Sequence, residues 1–179
     1  MKTSWLAFLI VLAGCKIDQT RPIEKERLGF AVADDAELFF KNVRQIYYDV
    51  QTLPQANVTV YRHPDRYASE DRAALWPALV LSTEADEAKI LIENNSILDA
   101  EPALQVRIKS QNVVTEVVLD TRGREQMLAF ATTIYQNIQQ QAEFELMANG
   151  QWHPWLTHGE EREAFRITMA DFYRLTGTL

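Results

Sequence analysis

Apolar and polar residues alternate with period two through the middle of the chain. Leu104, Val106 and Ile108 alternate with polar neighbours, and residues 113–119 are rich in valine. Gln111-Asn112 between them reads as a hairpin turn. Apolar runs at 78–83 and 88–93 flank Glu84-Ala85-Asp86-Glu87, a second hairpin, and 57–61 is a short strand-prone run. Alternation of this kind gives a sheet with one buried and one wet face. It predicts an antiparallel meander of four or five strands.

The period then changes. Met127, Ala131, Ile134, Tyr135 and Ile138 recur at helical spacing after Thr121, a candidate N-cap, so a main helix is expected to lie on the sheet. Strand spacing returns at 142–148 and ends at Asn149-Gly150, the dipeptide that a type I′ hairpin favours because both central residues need positive φ. The return strand is QWHPWL, with Pro154 placed at an edge. A further strand over 164–168 and a short helix over 170–176, stopped by Gly177, complete this end.

The amino-terminal part of this domain is harder to read. Phe39, Val43, Ile46, Tyr47 and Val50 fall on one helical face, and Asp34-Asp35-Ala36-Glu37 resembles a capping box. The same stretch is crowded with aromatic and β-branched residues that suit strands. A helix over 35–50, closed by Pro54, is the favoured reading, and a short helix over 72–76 follows the cap-like Ser69-Glu70-Asp71. The expected class is α+β: an antiparallel β-meander sheet packed against one main helix, with further N- and C-terminal helices. Residues 28–179 form one domain.

Composition adds a constraint on partners. The 179 residues carry a formal net charge of −7, and the segment before Cys15 holds one cation, Lys2, and no acid. An acidic surface repels phosphate backbones, and acids flank the densest basic pairs, Arg122/Arg124 and Arg62/Arg66. No nucleic-acid partner is expected.

The chain opens MKTSWLAFLIVLAGC, with Lys2 ahead of an apolar run from Trp5 to Ala13. This run is short of the roughly 20 residues that span a bilayer, but it has the layout of a secretory leader. Leu12-Ala13-Gly14-Cys15 resembles the lipobox of bacterial lipoproteins. The resemblance implies that residues 1–14 are removed and that Cys15 carries the lipid, its thiol forming a thioether. It covers the first fifteen residues alone. Two other readings of the segment are a buried core thiol and an uncleaved anchor. Cys15 is the sole cysteine, so no intramolecular disulfide forms. Lys16 stands where some bacteria place an aspartate for inner-membrane retention, which points to the outer membrane. Residues 15–27 are polar and read as a tether, whose dozen residues reach at most about 40 Å. Ile17 and Ile23 offer the alternative of an extension packed on the domain.

Candidate chemistry is sparse. Trp152, His153, Trp155, His158, Glu160 and Glu161 form the tightest constellation. Two imidazoles and a carboxylate are competent divalent-metal ligands, but the five-residue spacing matches no specific metal motif. Flat tryptophan faces can stack on sugars or anchor a protein partner. His63 lies in a turn between Arg62 and Arg66. Neither a nucleophile elbow nor a phosphate loop is present. No catalytic residue and no cofactor or metal is assigned. The sequence therefore favours a membrane-anchored envelope lipoprotein with a non-catalytic protein-binding or structural module. Its alternatives are a metal-dependent hydrolase using His153, His158 and Glu160 or Glu161, and a glycan or small-ligand binder using Trp152 and Trp155.

Overall fold

The computed structural model describes residues 28–67, 70–82, 84–111 and 113–179. The leader, Cys15, the tether and Ser69 lie outside these residues.

The described chain is α+β, with two antiparallel four-stranded sheets and three helical segments. A helical run starts as α1 (Asp34–Phe39), continues as a π turn over Phe40–Arg44 and ends as a 3₁₀ turn over Gln45–Tyr47. Four strands follow as a meander: β1 (Asp49–Leu53), β2 (Val58–Arg62), β3 (Leu75–Ser82) and β4 (Glu87–Asn94). The second sheet has the order β6-β5-β7-β8. It comprises β5 (Leu104–Ser110), β6 (Val113–Leu119), β7 (Glu143–Ala148) and β8 (Gln151–Trp155). Helix α2 (Arg124–Gln139) crosses between β6 and β7, and α3 (Gly159–Leu175) closes the chain.

Both sheets share one core. Helix α2 packs on β4 and β6, and α3 packs on β3, β4 and α2. Leu79, Ile90 and Ile92 of the first sheet join Val106, Leu146 and Phe144 of the second around Ile134, Tyr135, Phe172 and Tyr173. The apolar stripe Met127, Ala131, Ile134, Tyr135 and Ile138 is buried as its spacing predicts. Asn149 and Gly150 have φ of 51° and 75°, the left-handed pair that a type I′ turn requires.

The expected meander is present as β1–β4, with α2 packed on β4. Several expectations are corrected. The strands expected over 104–108 and 113–119 belong to a second sheet, not to the meander. Residues 72–76 form no helix: β3 starts at Leu75. Residues 164–168 lie inside α3, where Ala164, Phe165, Thr168, Met169 and Phe172 form one buried helical face. Thr168 joins this face because its hydroxyl donates to the Ala164 carbonyl at 2.9 Å, which lets it sit in the core like an apolar residue. Neither expected N-cap forms: Ala33 precedes α1 and Gly123 precedes α2.

The largest correction concerns residues 35–50. The helix ends at Tyr47 and residue 49 already begins β1. Its inward positions fall at every fourth residue: Phe40 and the following Tyr48 are buried, Ala36 and Arg44 half-buried. The π turn spans one of these steps, Phe40 to Arg44, where its wider turn suits a spacing of four. The apolar positions 39, 43, 46, 47 and 50 consequently face solvent.

Candidate functional site

The structure does not bring the Trp152–Glu161 constellation together. Trp152 and Trp155 lie opposite Met147 and Phe144 and so emerge on opposite faces of the second sheet. Trp155 is buried, edge-on to Phe144 at 5.9 Å and to Phe165 at 6.1 Å. Trp152 lies on the outer face under the Arg107 guanidinium, 4.0 Å from its ring centroid. That arginine also pairs with Glu116 at 2.9 Å. His153 borders a shallow cleft with Arg72, Ile97 and Asn149. His158 is the N-cap of α3, and its backbone N–H donates to Glu161 at 3.5 Å. Glu161 is buried, 3.8 Å from Arg72, whereas Glu160 is exposed. Each role is that of a sheet or helix end. Among the described residues no three His, Cys, Asp or Glu side chains are grouped to hold a metal.

A second cluster, missed in the sequence, joins the amino-terminal helical run to α3. Asp171 is 1 % exposed. Arg44 Nε donates to both its carboxylate oxygens, at 3.0 and 3.1 Å, and the Tyr48 hydroxyl donates at 2.8 Å. Arg174 adds a bond at 3.2 Å. A buried carboxylate is tolerated only when paired and hydrogen-bonded, and here every donor comes from the period-four stripe or from α3 itself. Burial alone would lower the Arg44 pKa, but the Asp171 carboxylate outweighs it and raises it. Burial, with the adjacent carboxylate, raises the Tyr48 phenol far above its ordinary value. His63 stands 5.8 Å from the Tyr48 ring, its pKa lowered by burial. With both oxygens committed, Asp171 acts as a clamp rather than as a general base.

The clamp fixes which face of the helical run points outward. Leu38 (62 % exposed), Phe39 (50 %), Val43 (44 %), Ile46 (73 %), Tyr47 (51 %) and Val50 (51 %) form one run of exposed large apolar residues. The other exposed large apolar residues of the described chain are Val113, Val114 and Val118 on β6. A contiguous apolar patch on a water-facing surface marks an interaction site. The signal in the sequence was the stripe itself; Arg44 on the opposite face hid which way it points.

Comparisons with protein-family models, with curated proteins and with solved structures give no match for this chain.

Proposed function

We propose that this chain is a lipid-anchored bacterial envelope lipoprotein whose folded domain is a non-catalytic protein-binding module. The observation that carries the binding role is the exposed apolar run from Leu38 to Val50. It starts 23 residues after the lipobox cysteine, Cys15, at the tethered end of the folded domain in sequence. Six large apolar side chains held in water gain by burial about 25 cal/mol for each Å² covered, and the Arg44–Asp171 clamp keeps them from turning inward. The anchoring half rests on Leu12-Ala13-Gly14-Cys15. Acyl chains contribute about 0.8 kcal/mol per buried methylene, and several chains hold durably. The dispersal of His153, His158, Glu160 and Glu161 disfavours the hydrolase reading. The burial of Trp155 leaves Trp152 as the sole indole of that pair available to a sugar.

The test uses the native host. In mild-detergent extracts of the envelope, the mature protein is expected to migrate in a complex larger than its own lipidated monomer, and Ile46→Asp is expected to release it. Monomer migration of the unaltered protein removes the binding role. Intact mass decides the anchor: loss of residues 1–14 with added acyl mass is expected, and a retained leader without acylation overturns it.

A further inference from the structure

We infer that the occupant of this apolar face is a second copy of the same chain, joined through β1; this rests on the binding role proposed above. The face runs from the helical turn straight into β1, since Tyr47 and Val50 flank the start of that strand. Among the described residues β1 pairs on one side alone, with β2, so its other side is an open sheet edge. An open edge presents a row of backbone donors and acceptors ready to pair with another strand. A partner meeting this side of the molecule therefore meets an apolar face and a strand edge together.

Both features suit a two-fold axis. Antiparallel pairing of β1 with its own copy, centred on Gln51, sets Asp49 opposite Leu53 and Val50 opposite Thr52 of the second copy. No like charges oppose each other across that seam. Asp49 is already neutralised by Arg66 at 3.0 Å. The same axis brings the two exposed helical faces together beside the joined strands, turning two four-stranded sheets into one of eight. Isologous pairing of this kind is the commonest oligomer symmetry. The apolar face offers on the order of several hundred Å², enough for the dry centre of an interface burying ~800 Å² per partner. An axis normal to the bilayer leaves both tethers on the same side, and confinement to one membrane raises the effective concentration of the copies.

The pairing is testable in native envelopes by disulfide trapping. The thiol of Cys15 is consumed by lipidation, so Gln51→Cys supplies the one free thiol of the mature chain. Opposed residues of an antiparallel pair have Cα atoms about 4.5–5.5 Å apart, within the span a disulfide bridges. Mild oxidation of Gln51→Cys is expected to give a band of twice the chain mass, formed at least ~10-fold faster than with Glu125→Cys on the exposed start of α2. Adding Ile46→Asp is expected to abolish that advantage, and adding Val114→Asp on β6 to leave it. Ile46→Ser, with a thermal melt of each variant, separates a lost interface from a lost fold. Equal rates for the two cysteine positions, or trapping that survives both Ile46 substitutions, overturn the second-copy assignment. If trapping fails while the native complex still depends on Ile46, the face binds another protein; if both fail, the binding role falls as well.

Discussion

Arg44 and Asp171, 127 positions apart, form a two-point clamp in which one guanidinium nitrogen reaches both carboxylate oxygens at 3.0 and 3.1 Å. The contact links the π turn to the last helix and selects the helical face that the core receives. Removing one partner of a buried ion pair costs about 3–5 kcal/mol because the other charge stays uncompensated. Arg174 and Tyr48 remain on Asp171, so Arg44→Met is expected at the lower end, a loss of about 3 kcal/mol in denaturant unfolding. The double variant Arg44→Met, Asp171→Asn removes both charges of the pair yet keeps an acceptor for the Tyr48 hydroxyl, and is expected to recover part of the loss. A loss below about 0.5 kcal/mol for Arg44→Met would show that the clamp does not hold the helix.

His63 carries a pH dependence. Burial lowers its pKa below 6.5; Asp65, Asp171 and Glu163 pull it upward, and Arg44 pushes it down. The unfolded chain then binds a proton that the folded chain refuses, so stability rises with pH across this window. Unfolding free energy is expected to fall as pH drops from about 7 towards 5. In His63→Asn, which keeps an acceptor for the Asp65 backbone N–H, that slope is expected to shrink. Equal slopes in the two proteins would assign the effect to other groups.

The Asn149-Gly150 turn gives a local test. A Cβ on Gly150 meets nothing within 4 Å, yet φ is 75°. Gly150→Ala is therefore expected to cost about 1 kcal/mol through backbone strain alone. Thermal unfolding measures it, and an unchanged midpoint would contradict the left-handed turn.

What could be read from sequence follows from how local each signal is. Asn149-Gly150, the valines of β6 and the stripe on α2 each report on their own neighbours, and each was legible. Strand β1 was not: four of its five residues are exposed, so no alternation marks it. Helix α3 was read in part as a strand; Thr168, polar by type, belongs to its buried face because its hydroxyl bonds the turn below. The candidate site was the least legible part. Its outward direction depends on Arg44 finding Asp171, a contact no window of neighbouring residues contains, and on a π turn over Phe40–Arg44 that departs from the 3.6-residue period.

The separated placement of His153, His158 and Glu160 also makes a prediction. Zinc or a chelator is expected to leave the melting temperature of the mature protein unchanged, because ligand that binds only the native state would raise it. A chelator-sensitive melt would revive the metal reading.

The most direct measurement is photo-crosslinking in living cells with a photoreactive residue at Ile46, compared with the same residue at Gln126 on α2. A protein adduct at position 46 that is absent at 126 is predicted, with a second copy of this chain as the captured protein. Adducts to lipid alone, or no difference between the two positions, would contradict the claim that the outward apolar face is a protein-binding surface.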